Sequence, residues 1–160
     1  MEQGWANDVV LSRHIGDGIM LIAATVVIHS AGTLLIVWTV FRFRQLIERH
    51  FGFVHNTAII MGVVLALLGV HLAEIGAWAA FFSYKQCFSN FDTSLYFSIV
   101  TYTTLGYGDV LLNEEWRLLG GVEALIGSLM MTWSTAVILG VITRIYSRRK
   151  ELWSGERDLS

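Results

Sequence analysis

Proline is absent from the 160 residues, and cysteine occurs once, at Cys87. A lone cysteine has no partner within its own chain, so a disulfide-stapled secreted scaffold is excluded. Charge is scarce: Asp, Glu, Lys and Arg make up 15% of residues, against about 25% in ordinary soluble domains. A formal net charge of −2 leaves no basic surplus for binding nucleic acid. Internal repeats and low-complexity tracts are also missing. What is abundant is apolar: 54% of residues are hydrophobic, which excludes intrinsic disorder. One domain is the expectation from length.

The apolar residues are gathered into long runs. Residues 18–41 hold a single ionisable group, His29. Residues 57–82 are interrupted only by His71 and Glu74, and residues 118–143 only by Glu123. At about 1.5 Å per helical residue, a bilayer core about 30 Å thick needs roughly 20 apolar residues. Each run is long enough, and none shows the polar face of a soluble helix. The reading is an all-α membrane protein with three transmembrane helices. A fourth stretch, 91–104, is apolar but too short to span, as core helices and re-entrant segments are. Ser89 or Asn90 is placed to cap its start, and Asp92 favours its positive end.

Lys and Arg counts orient the spans. Arg42, Arg44 and Arg49 follow the first run, and Arg144, Arg148, Arg149, Lys150 and Arg157 follow the third. The opposite side holds only Arg13, Lys85 and Arg117. The richer side is expected in the cytoplasm, with the N-terminus and residues 83–116 outside. The first run is too long for a signal peptide, and its leader carries Glu2, Asp8 and Asp17 against Arg13, so it is expected to be retained. The expected organisation is an external segment 1–17, an extra helix 18–41, a cytoplasmic linker 42–56, a pore domain 57–146 and a short cytoplasmic tail 147–160. No sizeable cytoplasmic domain is expected.

Directly after the short segment comes Thr101-Tyr102-Thr103-Thr104-Leu105-Gly106-Tyr107-Gly108-Asp109. This stretch resembles the selectivity filter of tetrameric potassium channels, and the resemblance extends over residues 57 to about 146. Leu105 is a mild departure, since that position varies among small aliphatics in the family. The chemistry accounts for the residue types. Potassium must exchange water for oxygen ligands of similar energy, and backbone carbonyls aimed at one axis supply them. That demands alternating dihedrals that L-residues resist, so glycine recurs at Gly106 and Gly108. The resemblance implies that the ion ligands are the carbonyls of Thr104, Leu105, Gly106 and Tyr107, together with the Thr104 hydroxyl. It implies support from Thr103 and Gly108, and a tie from Asp109 to the pore helix. Tyr96 and Phe97 stand where two tryptophans are common; Phe97 has no polar hydrogen, so the tie is expected to be weaker or rerouted. Val100 replaces a glutamate found in some prokaryotic members.

The third run would be the inner, pore-lining helix. Small residues recur every four positions at Gly120, Ala124, Ser128, Thr132, Ala136 and Gly140, which lets membrane helices approach closely. Matching the family from Asp109, the cavity side includes Leu129, Thr132, Ala136 and Gly140, with Gly127 or Ser128 at the hinge position. A packing glycine would look identical there. Trp133 is expected to face another helix, and Arg144 to anchor at headgroups. Gly62, Gly69 and Gly76 in the second run, seven apart, suggest a tight seam against one of the other helices.

An intramembrane charge costs about 2.5–3.5 kcal/mol on insertion scales, so His29, His71, Glu74 and Glu123 should face protein or water. They lie at similar depth, which suggests one hydrogen-bond network behind the filter; the alternative is that each bonds a backbone carbonyl or hydroxyl separately. A shared network would let histidine titration make gating pH-sensitive. His14, His50 and His55 lack ligand spacing, so no metal site is expected from them. Cys87 is expected as a free, buried thiol, with pairing across subunits as the alternative. The extra helix lacks an arginine at every third position and is therefore no voltage sensor. The expected protein is a homotetramer in the lipid bilayer carrying potassium ions, with no enzymatic activity. It would need no nucleic acid or soluble partner. A weakly selective cation channel, a potassium-transporter subunit and a non-conducting scaffold are the alternatives.

Overall fold

The computed structural model describes the backbone of residues 2–42 and 53–157 and the side chains of 15–42, 54–145 and 147. Four helices make up these residues: α1 (Glu2–Arg42), α2 (Phe53–Tyr84), α3 (Phe91–Tyr102) and α4 (Arg117–Arg157). No strand occurs among the described residues. Three stretches are long and apolar enough to cross a membrane: Ile15–Arg42, Val54–Tyr84 and Arg117–Ile145. Their 28, 31 and 29 residues make rods about 42–47 Å long, so they tilt within the core or reach into the headgroup layers.

The helices overrun the apolar runs. α1 begins at Glu2 and not at residue 18, α2 begins at Phe53, and α4 continues to Arg157. Apolar composition sets where a membrane ends, whereas a helix ends where a breaker intervenes, and this chain has no proline to stop it. The expected linker falls mostly on residues 43–52, which lie outside the described residues, as do His50, 158–160 and the side chain of His14.

α1 packs against both α2 and α4, and α3 is held between α2 and α4. The core at one end is aromatic. Phe82 meets Phe97 at 5.4 Å between ring centroids and Phe81 at 5.8 Å, while Phe88 meets Phe97 at 5.1 Å. Trp78, fully buried, donates from its indole nitrogen to Thr25 Oγ1 of α1 at 2.9 Å, satisfying its polar atom in an apolar layer. Cys87 is buried in the same cluster as a free thiol. Burial, reinforced by Glu115 and opposed by Lys85, holds that thiol above its ordinary pKa. A second cluster of Ile36, Val63 and Leu67 packs with Val70, Val137, Ile138 and Val141.

The long apolar part of α1, Ile15–Arg42, is also fastened near both ends. Lys85 Nζ lies 2.9 Å from Asp17 Oδ2 and 5.3 Å from the ring centroids of Phe81 and Trp116. Near the opposite end the Arg144 guanidinium lies over the Phe41 ring at 5.8 Å. Arg144, expected as a headgroup anchor, thus also makes a helix-to-helix contact.

Of the glycines that suggested close approach, Gly120 of α4 is tightly packed, an added Cβ lying 3.3 Å from Phe97 Cζ, whereas the heptad glycines of α2 are not. A Cβ added at Gly62, Gly69 or Gly76 would meet nothing within 4 Å, so these three glycines pack closely on no neighbour among the described residues. A Cβ at Gly32 of α1 would instead collide with both γ-methyls of Val70, one of them at 3.1 Å. Glycine spacing shows where a helix can be approached, and only packing decides where it is.

Candidate functional site

α3 is a 12-residue helix defined by its cap. Asn90 Oδ1 accepts from the Thr93 amide and the Thr93 hydroxyl, both at 2.8 Å, and Asp92 sits in the first turn near the positive helix end. Ser94, Phe97, Ser98, Val100 and Tyr102 form its buried face. At its other end the free carbonyls are taken by the following residues. Thr104 N–H donates to Thr101 O at 2.9 Å, and the amides of Leu105 and Gly106 both donate to Val100 O, at 2.9 and 3.2 Å. The Thr103 hydroxyl donates to Ile99 O at 2.7 Å. The amides leading out of the helix are therefore turned back onto it.

From that point the sign of φ alternates. Thr104 (φ 58), Gly106 (φ 58) and Gly108 (φ 77) lie in the left-handed region, while Leu105 and Tyr107 between them do not. Ordinary extended backbone sends successive carbonyls to opposite sides. Alternating handedness is how a chain of L-residues turns them toward one side, and glycine takes the left-handed steps without a Cβ clash. Thr104 takes such a step despite its branched Cβ, a strain of about 1–3 kcal/mol. Residues 103–109 are exposed in the single chain, with Leu105 at 54% and Tyr107 at 67% of full accessibility. Asp109 is held by the Tyr96 hydroxyl, which donates to Oδ2 at 2.7 Å, and its Oδ1 accepts from the Val110 amide at 3.1 Å. Phe97 is buried among Phe82 and Phe88 and takes no part in that tie.

On α4, Leu129, Thr132, Ala136 and Gly140 follow one another at three- and four-residue steps, and all are exposed in the single chain. Trp133 turns toward α1, its ring 5.4 Å from that of His29. Gly127 is buried against α3: an added Cβ would lie 3.0 Å from the Tyr102 carbonyl carbon and nearer still to its oxygen. Close packing accounts for glycine at this position. Ser128 donates to Ala124 O at 2.9 Å along its own helix.

Behind this assembly lies a buried polar cluster. His29 Nδ1 is 2.9 Å from Glu74 Oε1, and His71 Nδ1 is 3.1 Å from Glu74 Oε2. Tyr102 donates to Glu74 Oε2, and its hydroxyl lies 3.2 Å from His71 Nδ1. His71 Nε2 meets Ser134 Oγ at 2.9 Å. The cluster therefore ties α1, α2, α3 and α4 together at one level. Glu123 is outside it. That carboxyl is buried beside Ser98, and neither its oxygens nor Ser98 Oγ makes a hydrogen bond of ordinary geometry among the described residues. Equal depth placed all four ionisable groups in one layer, but depth says nothing about which way a side chain faces around its helix. Tyr102 and Ser134 are the members that sequence reasoning missed. The available signal was a phenol, Tyr102, at the end of the short helix directly before the glycine-rich loop.

Residues 67–144 match a protein family described as "Ion channel". The potassium voltage-gated channel protein shk-1 of Caenorhabditis elegans is 30% identical over 95 residues, 59% of this chain but 17% of that protein. The chain thus spans under a fifth of the length of this curated relative. No solved structure matches.

Proposed function

We propose, for a chain whose residues 67–144 match the ion-channel family, that four copies surround one axis and conduct potassium selectively. The observation that carries this reading is the alternation of φ at Thr104, Gly106 and Gly108, directly after a capped re-entrant helix. One such loop supplies one ligand per level. Replacing a hydration shell needs several oxygens at once, so several loops must meet on one axis, and four copies forming a homotetramer supply rings of carbonyls above and below each ion. The carbonyls of Thr104, Leu105, Gly106 and Tyr107 and the Thr104 hydroxyl would take the place of water around the ion. The Tyr96–Asp109 bond holds the outer end of the loop against its own helix. The exposure of Leu105 and Tyr107 in the single chain supports the same assembly, since large hydrophobic side chains at a loop tip call for neighbours to cover them.

Leu129, Thr132, Ala136 and Gly140 would face the water-filled vestibule below the filter. The excess of Lys and Arg after the first and third spans supports an orientation with the end of α4 in the cytoplasm and the start of α1 outside, in a cell membrane. α1 serves as a buttress for α2 and α4.

The test is ion flux in proteoliposomes under potassium and sodium gradients, comparing the parent chain with Gly106→Ala. Potassium flux well above sodium flux, abolished by Gly106→Ala, is expected. Equal fluxes would replace selectivity by a general cation pathway. No flux from tetrameric protein would leave a non-conducting scaffold.

A further inference from the structure

The pore reading leaves the buried cluster behind the filter without a task. We infer that His29, His71 and Glu74 form a binding site for a divalent transition-metal ion of the Zn2+ class. Three donor-bearing side chains from two helices converge there, with one ligand atom of each lying within 4.8 Å of the others. His29 and Glu74 are fully buried, and His71 retains 15% side-chain exposure, which leaves an approach from one side. Two imidazole nitrogens and one carboxylate suit zinc, cobalt or nickel; calcium and magnesium select all-oxygen sets.

The distances fit. Around a tetrahedral ion with bonds of about 2.0–2.2 Å, neighbouring donors lie about 3.3–3.5 Å apart. His29 Nδ1 lies 2.9 Å from Glu74 Oε1 and His71 Nδ1 lies 3.1 Å from Glu74 Oε2, each imidazole facing its own oxygen of the one carboxylate. A few tenths of an ångström of opening on either side makes room for the ion. The Tyr102 hydroxyl, already bonded to Glu74 and 3.2 Å from His71 Nδ1, is the fourth donor at hand.

The surroundings set the imidazoles for this role. Ser134 Oγ lies 2.9 Å from His71 Nε2. When it accepts from Nε2–H, the lone pair of Nδ1 points into the cluster, which is the tautomer a metal ligand needs. His29 Nε2 is buried without a partner, beside the Trp133 ring. Metal ligation at Nδ1 puts the proton on that nitrogen, and an N–H against an aromatic ring is better placed there than a bare lone pair. A bound ion would join α1 to α2 and to Tyr102, two residues before Thr104. The extra helix would then be coupled to the base of the filter.

The test uses the full chain in detergent, purified with a histidine-free tag and stripped with chelator. Titration with Co2+ is expected to give the visible absorption of a tetrahedral site, saturating at one ion per chain and displaced by Zn2+. His29→Gln and His71→Gln should each weaken apparent affinity at least about tenfold, and Tyr102→Phe about 10- to 100-fold, the range for groups that orient or complete a site. A chain carrying His14→Gln, His50→Gln and His55→Gln together should bind as the parent does. X-ray absorption of the zinc-loaded parent chain should show nitrogen and oxygen neighbours with imidazole scattering, a result that needs no variant to fold. Binding below one ion per chain, a sulfur neighbour from Cys87, or unchanged affinity in both folded single variants would overturn the site. None of these measurements depends on conduction.

Discussion

Gly127→Ala is the sharpest probe of how α3 is seated. An added Cβ would stand 3.0 Å from both the carbonyl carbon and Cγ of Tyr102, with the carbonyl oxygen nearer still. Carbon atoms in favourable contact lie about 3.5–4.0 Å apart, so α3 and α4 must separate by at least about 0.5 Å. The obstacle is backbone, which cannot swing aside as a flexible side chain would. Overpacking of this kind costs about 1–3 kcal/mol. Alanine also gains about 1 kcal/mol over glycine in a helix, which would mask part of the loss. Gly62→Ala carries the same gain with nothing within 4 Å of the new methyl. The difference between the two variants therefore isolates the clash. Reversible unfolding in mixed dodecylmaltoside–SDS micelles, followed by circular dichroism, should place Gly127→Ala about 1–3 kcal/mol below Gly62→Ala. Potassium flux should also fall in Gly127→Ala, because the displaced residue lies two positions before Thr104. A difference within about 0.5 kcal/mol, the range of inconsequential substitutions, would refute the packing argument.

Tyr96→Phe removes the donor to Asp109, and potassium-over-sodium flux should drop while assembly is retained; unchanged selectivity would show the tie to be dispensable. Tyr102→Phe deprives a buried carboxylate of a donor and should lower unfolding stability by about 1.5–3 kcal/mol in the same micelle assay, the range for hydrogen bonds to charged groups. Burial raises the Cys87 pKa, so at pH 7 less of it is thiolate than in a free cysteine. Maleimide labelling of the folded chain should therefore lag behind that of the SDS-unfolded chain and quicken as pH rises toward the elevated pKa; equal rates at pH 7 would contradict this.

Much of the architecture was legible along the chain because membranes read composition and length. Three apolar runs became three helices long and apolar enough to cross a membrane, and a short apolar stretch with Asn90 before it became a capped helix of 12 residues. Gly106 and Gly108 announced left-handed backbone because other residues resist it. Thr104 did not announce its own, since a branched residue reaches that conformation only when its surroundings hold it there.

What the linear order could not contain was the angle at which each helix faces its neighbours. Hydropathy reports depth, and depth placed His29, His71, Glu74 and Glu123 together; rotation about the helix axes joined the first three and left Glu123 beside Ser98. The same rotation brought in Tyr102 and Ser134, and it put the tight contacts at Gly32 and Gly127 rather than along Gly62, Gly69 and Gly76. Sequence alone determined which segments enter the membrane and where the backbone must alternate, since both follow from local residue chemistry. Tertiary packing decided which buried polar groups meet, because that depends on how four helices fit against one another.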